Sequence, residues 1–166
     1  MFQTVYGTMN TDIAMDPQWI TGFIDGEGSF QLSITYRSKF RYGIEVGLCF
    51  SVAQSKKSAY IIDTFPTYFG CGYVVNDNKS NCRVFRVKKL DDLRRTIIPF
   101  FQKYPLLTAK KEDFSKFVEL HHLLTNGEMN NKEGLKKIIH IGYSMNTRGT
   151  GRKKTLQKVL HHIDTM

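Results

Sequence analysis

An α+β fold is predicted by three observations. A short apolar helix lies near the N-terminus, stretches of period-two alternation follow it, and the C-terminal half repeats its apolar residues at helical spacing. The helix covers residues 17 to 25. Asp16 supplies a capping carboxylate, Pro17 suits a first turn, and Ile20, Phe23 and Ile24 fall at i, i+3 and i+4. Gly22 and Gly26 lie four apart on one face and leave it smooth, so another helix backbone can approach. Gly28 stops the helix and leaves Glu27 at the negative end of its dipole, where a carboxylate is unfavourable without a cation. A divalent metal ion would provide that cation.

Behind the helix, Phe30, Leu32, Ile34 and Tyr36 alternate with Gln31, Ser33, Thr35 and Arg37. A basic turn carries Lys39 and Arg41. The return strand then alternates Ile44, Val46, Leu48, Phe50 and Val52 with Glu45, Gly47, Cys49 and Ser51. Such a hairpin has one oily face and one polar face, a pattern shared by half-solvated sheets and by sheets that read DNA. A second helix over residues 56 to 68 buries Ile61, Ile62 and Phe65, and Pro66 in its final turn is placed to end it early. Gly70 and Gly72 break the chain before a second hairpin over residues 73 to 75 and 83 to 87. Arg83 and Arg86 are an odd number apart, so without a bulge they face opposite sides. Arg86 is assigned to the polar side, because Phe85 and Val87 then share the oily one. Helices are predicted over residues 91 to 101, 110 to 124, 132 to 141 and 155 to 163. His121, His122, His161 and His162 have no spaced acid or cysteine partner and are expected on helix surfaces.

The chain has 166 residues, 24 Lys and Arg against 15 Asp and Glu, and a net charge of +9. Every Lys and Arg lies at or after Arg37, whereas Asp12, Asp16, Asp25 and Glu27 precede it. An acidic centre with a basic remainder suits a metal-dependent enzyme acting on nucleic acid: cations neutralise phosphate and carboxylates hold metal. No apolar run is long enough to span a membrane. Residues 1 to 15 read as an N-terminal extension with neither a secretory nor an Arg-rich transit pattern, and residues 16 to 166 as one domain. Secretion is therefore not expected. Cys49, Cys71 and Cys82 lack metal-ligand spacing and are expected as reduced thiols on or near strands.

The run Ile20-Thr-Gly-Phe-Ile-Asp-Gly-Glu-Gly28 resembles the signature of the LAGLIDADG homing endonucleases. Phe50-Ser-Val-Ala-Gln54 resembles that family's second core strand, and the segment from Tyr104 to Phe114 its later lysine-bearing helix start. Tyr143-Ser-Met-Asn146 and the basic cluster after it resemble its C-terminal region. The resemblance implies the αββαββα core, with a four-stranded antiparallel DNA-binding sheet and extra C-terminal helices. It also implies a homodimer, because the motif occurs once here and the family's composite active site uses two. Gly22, Phe23 and Gly26 would then form the dimer face.

The implied activity is hydrolysis of double-stranded DNA at a long, near-palindromic site, giving 3′ overhangs and promoting group I intron mobility. Glu27 and the main-chain carbonyl of Gly26 would hold Mg²⁺ or Mn²⁺, with Ca²⁺ binding but not supporting cleavage. Gln54 matches the residue that orders water around the metals, and Lys110 the lysine that stabilises transition-state charge, with Lys111 beside it as an alternative. Ser58 stands where some relatives carry an Arg in the same solvent network. Asp25 would position the motif helix. Gln31, Ser33, Thr35, Arg37, Lys39, Arg41, Glu45, Ser51 and Arg86 are candidate DNA contacts. Arg148, Arg152, Lys153 and Lys154 suit phosphate contacts beside Gly149 and Gly151. Two other functions share the fold: an RNA maturase bound to intron RNA, and a non-catalytic DNA-binding regulator. Members of the family occur in chloroplasts, mitochondria and prokaryotes, so the expected location is an organelle or a prokaryotic cytoplasm.

Overall fold

The computed structural model describes residues 15–146 and 154–166. Helix α1 (Pro17–Glu27) leads into strands β1 (Gly28–Tyr36) and β2 (Ile44–Ser55). A 3₁₀ turn (Lys56–Ser58) and α2 (Tyr60–Phe69) follow, then β3 (Tyr73–Asp77) and β4 (Cys82–Val87). The next helical stretch runs as α3 (Leu90–Asp92), a π turn (Leu93–Ile97) and α4 (Ile98–Lys103). Helices α5 (Lys110–Thr125), α6 (Lys132–Tyr143) and α7 (Leu156–Thr165) complete the described chain. The expected α+β order is present.

Each start has a local cause. The Asp16 carboxylate accepts from the Gln18 and Trp19 N–H groups, and Pro17 opens α1. Helix α1 ends against Gly28, whose φ of −77° is extended rather than left-handed. The glycine is needed there for space. A Cβ would lie 2.6 Å from Ile24 Cγ2 and 2.7 Å from the Ile24 carbonyl oxygen. Pro66 does not end α2, which continues to Phe69 and stops at Gly70, φ +64°. Pro66 forfeits its own N–H bond and crowds the carbonyl one turn back, but the buried Phe65 and Phe69 hold the last turn in place. The π turn precedes Pro99, which cannot donate back along the helix; the longer Ile98 N–H to Leu93 carbonyl bond absorbs the interruption.

The four strands form one antiparallel sheet in the order β1-β2-β4-β3. Its oily face lies under the helices. Phe30, fully buried, is the hub: its ring centroid lies 5.2 Å from those of Phe50, Phe114 and Phe117, and 5.5 Å from that of Phe101. Burying each such ring stabilises the fold by roughly 1.5–3 kcal/mol, and favourable ring geometry adds about 0.5–1.5 kcal/mol per pair.

Two expectations are corrected. Met15, at the end of the expected extension, is 9% exposed and receives a contact from the Thr64 hydroxyl at 3.6 Å, so it packs with the domain. His121 is buried, not on a surface, and its Nε2 lies 2.9 Å from the Leu90 carbonyl oxygen, tying α5 to the start of α3. Cys49 is a free thiol on a strand as expected; it is buried in β2, and burial pushes its pKa up. All three cysteines are free.

Candidate active site

The site is built where α1 gives way to β1. The last four carbonyls of a helix have no intrahelical partner, and Gly26 and Glu27 fall in that turn of α1. Both are exposed. The register supplies the neighbours: Gly28 pairs with Val52, so Gln54, two residues further along β2, lies at the same end of the sheet. The Gln54 Oε1 accepts from the Ser55 N–H at 2.8 Å, which leaves its amide nitrogen as a donor.

Helix α5 brings Lys110 to the same place. Its ammonium donates to the Gly28 carbonyl. Burial pushes the Lys110 pKa below its ordinary value, against the attraction of Asp25, Asp113 and Glu27. Lys111 is exposed. Of the two lysines left open by the sequence, Lys110 is the one at the site.

Asp25 faces the turn before α5. Its Oδ2 accepts from the N–H groups of Leu107 at 2.8 Å and Thr108 at 3.1 Å, and its Oδ1 from the Thr108 hydroxyl at 2.6 Å. Desolvation raises its pKa, but these three donors outweigh it and hold the carboxyl below its ordinary range. Asp25 thus has the contacts of a residue that holds a turn, and Glu27 is left open. Among the described residues no three His, Cys, Asp or Glu side chains cluster around a metal position. One carboxylate and one main-chain carbonyl at a helix C-terminus are hard oxygen donors that fit a divalent cation, but they fill only a minor part of a six-coordinate sphere.

Beside Glu27, the outward face of α1 is open. A Cβ on Gly22 or on Gly26 would meet no atom within 4 Å. Trp19, 48% exposed, stacks on half-buried Phe23 with ring centroids 5.3 Å apart.

The open face of the sheet carries the polar candidates. Gln31, Ser33 and Thr35 are exposed on β1. Ser29, Ser51, Arg86 and Tyr73 form one row across all four strands, which puts Arg86 on the polar side as expected. Arg83 pairs with Gln54 on the other face and forms a 2.6 Å ion pair with Asp63 of α2, with no bulge needed. Arg37 and Glu45 bind each other at 2.6 Å, and the Ser33 hydroxyl donates to the Gly47 carbonyl at 2.9 Å. Lys39 lies against Phe40, 5.3 Å from its ring centre.

Other basic candidates lie elsewhere. The Arg41 guanidinium donates to the Asn130 carbonyl in the helical layer. The Lys154 ammonium sits 3.2 Å from the centre of the Tyr36 ring, on the helix side of the outer end of β1. Arg148, Arg152 and Lys153 lie outside the described residues. Ser29, Tyr73 and Thr108 were not singled out from the sequence; cross-strand register and a contact 83 residues apart bring them in.

Comparison with known proteins finds the same fold and a sequence family. A family profile described as "LAGLIDADG endonuclease" matches residues 20–121. A probable intron-encoded endonuclease of Neurospora crassa is 32% identical over 145 residues, 87% of this chain. The chain spans only 31% of that relative's length. The crystal structure of the homing endonuclease I-TnaI superposes with a TM-score of 0.81 at 33% identity, covering 90% of this chain and 98% of that one. The archaeal intron-encoded homing endonuclease I-Vdi141I, in complex with DNA, gives 0.80 at 29% identity, covering 90% and 94%.

Proposed function

Because this chain belongs to the LAGLIDADG endonuclease family, we propose that it is a site-specific, metal-dependent DNA endonuclease that works as a homodimer. One observation carries the reading: an exposed carboxylate, Glu27, stands beside a half-buried ammonium, Lys110, next to a smooth, exposed apolar helix face. A second copy packed across Gly22, Phe23 and Gly26 brings a second Glu27 to the two-fold axis. The two donors of one chain are then joined by those of the other, with water and phosphate oxygens left to fill the rest of the sphere.

Bound Mg²⁺ or Mn²⁺ supplies Lewis-acid stabilisation of the scissile phosphate and a more acidic water, and Ca²⁺ is expected to bind without supporting cleavage. Glu27 and the Gly26 carbonyl hold the ion. Lys110 keeps its proton at Nζ and offsets charge that builds on the phosphate oxygens in the transition state. The Gln54 amide orients solvent at the sheet end. The polar sheet face lies in the major groove, where Gln31, Ser33, Thr35, Ser51 and Arg86 meet base edges or phosphates. Lys154, with Arg148, Arg152 and Lys153, supplies phosphate contacts. A two-fold dimer reads a long, near-palindromic site. The product is a double-strand break with 3′ overhangs, of the kind that promotes intron mobility.

The test is cleavage of a plasmid library by the purified protein with Mg²⁺, followed by mapping of the ends. The expected result is one long, near-palindromic target cut on both strands with 3′ overhangs. Failure to cut any DNA overturns the reading, and splicing support for an intron RNA in its place would identify a maturase.

A further inference from the structure

We infer that Thr108 is a positioning residue for Lys110: its hydroxyl links Asp25 of α1 to the first turn of α5 and so fixes the Lys110 ammonium beside Glu27. The inference rests on the reading of Lys110 given above. The geometry is a closed ring. The Thr108 Oγ1 donates to Asp25 Oδ1 at 2.6 Å and accepts from the Lys110 N–H at 3.2 Å. The Lys110 side chain then returns to the carbonyl of Gly28, the residue that caps α1. Glu27 lies in sequence between the two α1 contacts of that ring, Asp25 and Gly28.

Both capacities of the hydroxyl are used. An ordinary capping hydroxyl only accepts from the helix, and its own proton goes to water. Here that proton is committed to a carboxylate on another element. Valine has the same shape and supplies neither bond, whereas serine supplies both. The start of α5 does not depend on the hydroxyl alone: the Lys111 N–H bonds the Thr108 carbonyl at 3.0 Å and the Glu112 N–H bonds that of Ala109 at 3.1 Å. The Leu107 N–H still reaches Asp25 without it. Removing the hydroxyl therefore loosens the base of Lys110 more than it unfolds the helix. A long lysine side chain makes that matter, because its rotamer freedom is large and a small displacement of a positioned charge slows chemistry severely.

The test compares wild type, Thr108→Val, Thr108→Ser, Lys110→Ala and the Thr108→Val/Lys110→Ala double variant. Single-turnover cleavage and DNA affinity are measured for each. Thr108→Val is expected to slow cleavage about 10- to 100-fold while DNA affinity changes less than about threefold. Thr108→Ser should restore the rate, and in the Lys110→Ala background Thr108→Val should cost nothing further. Equal slowing in both backgrounds, or none in either, would overturn the inference. If Lys110→Ala cuts as fast as wild type, the role of Lys110 falls and the inference with it. A readout without metal or DNA keeps the link testable even in a protein that does not cut: the rate of acetylation of the Lys110 amine, followed by mass spectrometry, should change several-fold in Thr108→Val and return to the wild-type rate in Thr108→Ser. Unchanged reactivity in Thr108→Val would contradict the link whatever the activity.

Discussion

The two faces of α1 differ sharply: one is buried against the sheet and the other is open. On the inward face Ile20 and Ile24 are fully buried, and Thr21 is 7% exposed with its hydroxyl bonded to the Pro17 carbonyl at 3.0 Å. On the outward face Trp19 is half exposed, and Gly22 and Gly26 meet nothing. The inward face is explained by this chain alone. The outward face is apolar, flat and unfilled, and it carries the open carboxylate at its end. Glycine stands at two positions where a Cβ would meet no atom within 4 Å, at a cost in helix propensity, and the proposed dimer would give that open surface a use.

Substitutions on the two faces should therefore act in opposite directions. Ile24→Ala removes a fully buried side chain, and denaturant unfolding should show a loss of about 2–5 kcal/mol. Gly22→Leu should do the reverse in the isolated monomer. No atom stands in the way, so thermal stability should hold or rise by up to about 1 kcal/mol, while sedimentation should show dimer giving way to monomer. A destabilised monomer, or an unchanged dimer, would end the reading of this face as an interface.

The smallest effect belongs to a surface contact remote from both faces. Asp164 bonds Lys136 at 2.6 Å, and that hydrogen bond holds its carboxyl below the ordinary 3.8. A depressed folded-state pKa adds stability above the unfolded value, lost as the pH falls through the folded one. The same bond raises Lys136 above 10.5, so its share is present below that value and lost as the pH rises through the folded one. Asp164→Asn should thus melt slightly below wild type near neutral pH, with the two curves merging in acid. An undiminished difference in strong acid would assign the effect to something other than the carboxylate.

Much of this was legible in the sequence. The strand alternation fixed which residues of β1 and β2 face the helices, because a period of two leaves no other register with a buried oily face. The odd spacing of Arg83 and Arg86 forced opposite sides, and Phe85 and Val87 decided which. Elsewhere local rules met tertiary packing and lost: Pro66 is carried through by Phe65 and Phe69, and His121 is drawn inward by a carbonyl 31 residues away. The site was legible as residue types but not as a network. Nothing near Asp25 in the sequence says that its partners are Leu107 and Thr108, and Lys110 separates from Lys111 only once α5 is docked.

Glu27 is exposed and, among the described residues, its carboxylate accepts no hydrogen bond that would tie it to the fold, which suits the metal chemistry on DNA proposed for it. Glu27→Gln tests that role most directly, since the amide keeps the size and removes the charge. Cleavage of the mapped target should fall by at least about a hundredfold while DNA affinity and thermal stability stay close to wild type. A variant that still cuts at the wild-type rate, or one that no longer binds DNA, would contradict a role for Glu27 in holding metal.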